Sequence, residues 1–262
     1  MHFLAAMEWG YAVSGLVVGA AVGLTGVGGG SLMTPILILV FGIPPVAAVG
    51  TDLLYAAATK SAGSAMHSAH HTVEWRIVGR LALGSVPAAV LTIAVLHALG
   101  VSGSKTNALV SDVLAAALFI TAAALLFRKQ LLAFYAGHVG RLDARRTFRL
   151  TVLTGAVLGV LVSATSVGAG ALGVTVLILL YPELPAARLV GSDIAHAVPL
   201  TLVAGAGHWL LGNVDFHLMG TLLMGSIPGI LIGSALAPRV PERFLRRAMA
   251  LVLALVAVRL VL

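Results

Sequence analysis

Cysteine is absent from this chain of 262 residues, which excludes disulfides and thiol chemistry. Charge is scarce as well: Asp, Glu, Lys and Arg make up 10% of the residues, against roughly 25% in an ordinary soluble domain. No polar stretch is longer than a loop, so a water-soluble domain of any size is not expected. Lys and Arg are missing from the opening "MHFLAAMEWGYAVSGL", which therefore lacks the basic start of a cleaved signal peptide and reads as the beginning of a first membrane segment. Also missing are a G-x-x-x-x-G-K-[ST] phosphate loop, an H-E-x-x-H zinc motif and a G-x-S-x-G elbow. ATP-driven pumping and hydrolysis are not expected of the chain, and it is not read as an enzyme. One literal G-x-G-x-x-G, "GAGALG" at 168–173, is followed 20 residues on by Asp193. A dinucleotide fingerprint needs a strand before it and a βαβ unit around it, and the flanks here are continuous apolar sequence.

What is present is hydrophobic: 60% of the residues, with a mean hydropathy of +1.07. Such a chain belongs in a bilayer. The formal charge of +7, from 16 basic and 9 acidic side chains, sits in short loops between apolar runs, where membrane topology explains it better than nucleic acid does.

The sequence contains itself twice. "TGVGGGS" at 25–31 matches "TSVGAGA" at 165–171, an offset of 140. "VGTD" at 49–52 matches "VGSD" at 190–193, "VEW" at 73–75 matches "VDF" at 214–216, and "GSVP" at 84–87 matches "GSIP" at 225–228, all at 141. His67 falls on His208. Residues 1–130 form the first repeat, 131–148 a basic cytoplasmic linker and 149–262 the second repeat. Each repeat opens with a glycine-interrupted apolar run, near 9–42 and 149–181, and continues with three apolar segments. These lie near 45–69, 75–99 and 106–128, then near 185–211, 216–237 and 244–262. About 20 apolar residues span a bilayer core.

Loop charges orient the segments. Arg128, Lys129, Arg141, Arg145, Arg146 and Arg149 mark one cytoplasmic loop; Arg239, Arg243, Arg246 and Arg247 mark another. Two simple spans and one interrupted run separate them, so that run crosses an even number of times, as a hairpin turning at its glycines. The count places both termini outside and gives the repeats opposite topology. The expectation is an all-α polytopic membrane protein of two inverted repeats, each a broken-helix hairpin plus three transmembrane helices. Broken helices near mid-membrane and inverted repeats are the pattern of secondary transporters.

The breaks are the first candidates for chemistry. A helix restarting after "GVGGG" presents unpaired N–H groups and a partial positive charge, suited to an anion with several oxygens. Thr25, Ser31, Thr165 and Ser166, with the backbone N–H groups of Gly28, Gly29, Gly30, Gly168 and Gly170, are the expected oxygen ligands, and Thr34 offers a further hydroxyl. In the next span Asp52, Lys60 and His67 share one helix face. A lysine near the middle of a span costs at least about 2.5–3.5 kcal/mol and marks a functional or wet site. The twin span keeps Asp193 and His208 but has Thr201 for the lysine, His196 for Tyr55, and Pro199, which is expected to kink the helix. Asp52, His67, Asp193, His196 and His208 are the candidates for a proton relay. No metal and no cofactor is expected.

The stretches "GLTGVGGGSLMTPILILVFGIPPVAAVGTDLLYAAATKSAG" and "HHTVEWRIVGRLALGSVPAA", with "SATSVGAGALGV" and "VGSDIAHAVPLTLVAGAGHWLLGNVDF" in the second half, resemble the sulfite exporter TauE/SafE family, also described as toluene-sulfonate uptake permeases. The resemblance covers nearly the whole chain. It implies a multi-pass transporter of the cytoplasmic (inner) membrane that moves sulfite, a sulfonate or a related organosulfur anion, without implying which anion or which direction. Alternating access is expected from the broken helices of the two inverted repeats, and export is the expected direction. A passive anion channel and a non-transporting membrane scaffold stand as alternatives. The implied partners are the small anion and the lipid bilayer, with no nucleic acid; a homodimer is left open.

Overall fold

The computed structural model describes residues 2–25, 30–100, 104–128, 130, 143–236 and 242–261. The described residues fold into ten α-helices and no strand. In the first repeat these are α1 (His2–Thr25), α2 (Gly30–Leu39), α3 (Pro45–Ala69), α4 (Trp75–Ala98) and α5 (Ser104–Leu126). The second repeat supplies α6 (Ala144–Thr165), α7 (Ala171–Leu180), α8 (Ala186–Leu210), α9 (Phe216–Leu236) and α10 (Glu242–Val261). Five of them, α4, α5, α6, α8 and α9, contain stretches long and apolar enough to cross a membrane. The outward faces of α4 and α9 carry exposed Leu83, Leu91, Leu231 and Ile232, the surface expected of helices solvated by lipid tails.

The first arm of each hairpin is long and the second short. α1 has 24 residues and α6 has 22, whereas α2 and α7 have 10 each. Ten residues rise only about 15 Å, half a bilayer core. The arms run back along one another: the Tyr11 and Phe41 rings pack with centroids 4.6 Å apart, and at the matching place Thr151 Oγ1 meets the Tyr181 hydroxyl at 2.8 Å. α6 begins at Ala144, inside the segment expected to be linker. Asp143 caps it, its side chain accepting from the Arg146 N–H at 2.7 Å, so Arg145, Arg146 and Arg149 belong to its first turns. α8 stays one helix through Pro199.

At the centre α3 and α8 lie antiparallel. Gly50 faces the Asn213 carbonyl and His208, Gly205 faces Leu54, Gly63 faces Ile194, and Gly191 faces the Thr72 carbonyl and His67. Around this pair run two seams in which backbones touch through glycine. Gly15 and Gly19 on α1 sit against the carbonyls of Leu222 and Ser226 on α9; Gly155 and Gly159 on α6 sit against those of Leu81 and Ser85 on α4. Shifting the numbers by 140 or 141 turns the first seam into the second. Hydrogen bonds obey the same shift: the Asp215 N–H donates to Thr51 Oγ1 at 3.0 Å, and the Glu74 N–H donates to Ser192 Oγ at 2.8 Å.

The two ends of the bundle differ in charge. Near exposed Trp75, Arg80 donates to the Tyr181 hydroxyl at 3.1 Å and lies over the Phe148 ring, and Arg188 pairs with Glu74. Arg76, Arg145, Arg146 and Arg149 flank these residues in sequence. Near exposed Trp209, which packs edge-on against Phe216, stand Glu8, Asp215 and His217.

Candidate anion-binding site at the helix breaks

The break between α6 and α7 is a tight reversal. Ser166 is left-handed at φ 59°, and Gly168 and Gly170 follow at 122° and 117°. Glycine adopts such angles without the steric cost that a Cβ imposes. Thr165 secures the turn locally: its hydroxyl donates to the Leu161 carbonyl at 2.6 Å and accepts from the Val167 N–H at 3.1 Å. That hydroxyl is spent on the backbone. Ser166, buried like its neighbours, has a hydroxyl with no hydrogen-bond partner among the described residues.

The other break falls on residues 26–29, so Gly28 and Gly29 lie outside the described residues, as does the side chain of Thr25. Gly30 opens α2, and Ser31 and Thr34 are buried on it.

Both aspartates come to these breaks. Asp52, fully buried on α3, accepts from Thr34 Oγ1 at 2.5 Å through Oδ2. Ser166, from the opposite repeat, stands beside the same carboxylate, whose Oδ1 has no hydrogen-bond partner among the described residues. Asp193, 1% exposed on α8, lies against Gly173 and beside the Gly170 N–H at the start of α7. Neither of its oxygens has a hydrogen-bond partner within bonding geometry among the described residues. A carboxylate buried without partners is costly, so its position calls for a ligand, a proton or a nearby cation.

The nearby cation is Lys60, partly buried on α3. It forms no ion pair with a described residue. It lies one turn from Gly63, against which Ile194, the chain neighbour of Asp193, packs. The α6–α7 break thus has near it two carboxylates, Asp52 and Asp193, and the hydroxyls of Thr34 and Ser166, with Lys60 on the stretch of α3 that packs on α8.

The histidines divide. His196 is buried, with Nε2 2.8 Å from Ser85 Oγ. Its repeat equivalent Tyr55 donates to Ser226 Oγ at 2.7 Å, so two interlocking hydrogen bonds join the central helices to α4 and α9. His208 Nε2 lies 2.9 Å from the Ser163 carbonyl just before the α6 break. A carbonyl only accepts, so that nitrogen carries the proton. His67 is remote from the breaks: its Nδ1 meets Thr72 Oγ1 at 2.8 Å at the end of α3. Sequence reasoning passed over Tyr55, Ser85 and Ser226 as site neighbours. The two serines stand in the repeated "GSVP" and "GSIP", the signal from which they were legible. The Tyr55–Ser226 bond is expected to couple Tyr55→Phe and Ser226→Ala by about 0.5–1.5 kcal/mol in a double-mutant cycle of unfolding in detergent. Strict additivity would show that the bond does not tie α3 to α9.

A helical bundle with a lipid-facing exterior and ionisable side chains sealed inside is a polytopic membrane protein, and interrupted helices around those charges place it among membrane transporters. The chain belongs to the sulfite exporter TauE/SafE family, whose model matches residues 11–260. It is 41% identical over 250 residues to the probable membrane transporter protein YjnA of Bacillus subtilis (strain 168), covering 94% of this chain and 97% of that one. It is 26% identical over 240 residues to the probable membrane transporter protein YdhB of the same organism, covering 88% and 91%. No solved structure matches the chain.

Proposed function

We propose that this transporter carries a small sulfur-containing anion, sulfite or a sulfonate, out across the cytoplasmic membrane by alternating access. The observation that carries the reading is Lys60: an ammonium on the membrane-spanning helix that also carries Asp52, with no ion-pair partner among the described residues, suits an anionic ligand. Ser31, Ser166 and the backbone N–H groups of Gly30, Gly168 and Gly170 surround the anion, joined by Thr25, Gly28 and Gly29 from the first break. Thr165 braces the turn. The antiparallel crossing of α3 and α8, equivalent helices of the two repeats, supports opposite orientations of the repeats in the bilayer. The arginine-rich end is the cytoplasmic one by the positive-inside rule, which leaves both termini outside.

Purified protein is expected to gain thermal stability with sulfite and methanesulfonate but not with equal chloride, since a ligand that binds only the folded state stabilises it. Proteoliposomes preloaded with unlabelled anion are expected to show counterflow. Fast flux without counterflow would make the protein a channel; neither shift nor flux would remove the anion reading. Because the chain has no cysteine, orientation is testable with single replacements. His217→Cys is expected to react with an impermeant maleimide on intact cells and His71→Cys only after permeabilisation. The reverse pattern would invert the topology.

A further inference from the structure

We propose that Asp193 is a proton carrier: when an anion occupies Lys60, Asp193 takes up one proton from water in the same binding step. The proposal rests on the anion-site reading above and adds its coupling. The proton leaves the acid form of the buffer, by way of solvent, and binds a carboxylate oxygen; the buffer base is released and no other bond forms or breaks.

Asp52 and Asp193 are equivalent by repeat and unlike in surroundings. Asp52 has the Thr34 hydroxyl, whereas Val174 occupies the matching position on α7 and offers Asp193 nothing. Lys60 has no twin, because Thr201 stands in its place and spends its hydroxyl on the Ala197 carbonyl. The crossing of α3 and α8 then sets Lys60 on the Asp193 side. Ile194 rests on Gly63, so the turn of α8 that carries Asp193 packs on the turn of α3 next to Lys60. His196, the twin of Tyr55, falls in the same half. Three departures from symmetry converge on one carboxylate.

The groups facing Asp193 leave it little alternative. α3 brings Lys60 and, at its end, His67, whose Nδ1 lies against Gly191 but is held by Thr72. Its own helix brings His196, held by Ser85. α7 brings Gly170 and Gly173, without a titratable side chain. The α4 cation Arg80 is turned to the Tyr181 hydroxyl. Lys60 is therefore the cation that balances Asp193. An anion that claims Lys60 leaves Asp193 buried, charged and unpaired, which is the costliest state open to it. One proton keeps the charge of the site constant and lets the loaded site turn through the bilayer without added charge.

The test counts protons in the binding step. Purified protein is titrated calorimetrically with methanesulfonate, which stays ionised throughout, in buffers of different ionisation enthalpy at one pH. The expected result is uptake of about one proton per anion by the unaltered protein and by Asp52→Asn, whatever the affinity of the latter. Asp193→Asn is expected to bind with no proton uptake. Val174→Thr, a near-isosteric change that copies the Thr34 hydroxyl onto Asp193, is expected to fold normally and bring the count well below one, so it decides the matter if Asp193→Asn does not yield monodisperse protein. Binding without proton exchange in the unaltered protein, or undiminished uptake in Asp193→Asn or in Val174→Thr, overturns the proposal and leaves the anion site standing. Absence of binding heat with both methanesulfonate and sulfite overturns the anion site too.

Discussion

Lys60→Met is expected to abolish anion binding and transport. Truncating one partner of a desolvated charge pair costs 2–5 kcal/mol of affinity in general, so sulfonate affinity should fall by at least about 30-fold, with turnover falling alongside. Removing an ammonium that balances a buried carboxylate also costs stability, so transport is the deciding readout. If Lys60 served only to hold Asp193 or Asp52, methionine would lower the melting temperature and spare transport. Lys60→Arg should not rescue fully, because a planar guanidinium does not replace a compact ammonium in an enclosed site.

The placement of Lys60 shows how far the sequence could be read. Its cost in a span, and the face it shares with Asp52, were legible from spacing alone. The helix bounds were legible too. α3 runs over Pro45–Ala69 and α9 over Phe216–Leu236, near the expected 45–69 and 216–237, because hydropathy and the flanking turn residues set them. Long-range pairing was hidden. That Lys60 comes to the part of α8 that carries Asp193 depends on how two helices cross, which no local pattern encodes. The Tyr55–Ser226 bond joins positions 171 residues apart. Thr165 was expected to face a ligand; its hydroxyl instead caps the backbone, since a helix broken in an apolar medium must satisfy its freed carbonyls and N–H groups first. The early start of α6 follows from Asp143, an N-cap residue that positional counting within a basic segment passed over.

The glycine seams carry the second large expectation. Gly15 and Gly19, Gly155 and Gly159, and Gly225, Gly229 and Gly233 recur at four-residue spacing, the small-xxx-small arrangement that lets membrane helices touch backbone to backbone. A Cβ on Gly155 would run into the Leu81 carbonyl, and one on Gly225 into that of Ala12. Backbone does not yield as a side chain end does, so the helices must part. Gly155→Ala and Gly225→Ala are each expected to cost about 3 kcal/mol, the upper part of the range for overpacking, seen as a fall in melting temperature of roughly 6–12 °C. Gly79 and Gly220, also helical and also a repeat pair, have nothing near their missing Cβ atoms. Alanine there should be neutral or gain up to about 1 kcal/mol of helix propensity. The seams also bear on transport, because each fastens a hairpin arm of one repeat to a span of the other: α1 to α9, and α6 to α4. On the alternating-access mechanism proposed above, the bodies that rock contain helices from both repeats, and a loosened seam should slow turnover more than it weakens anion binding. Gly155→Ala with full stability would show the α4–α6 contact to be loose; a large stability loss with unchanged turnover would show that the seam does not move as a unit.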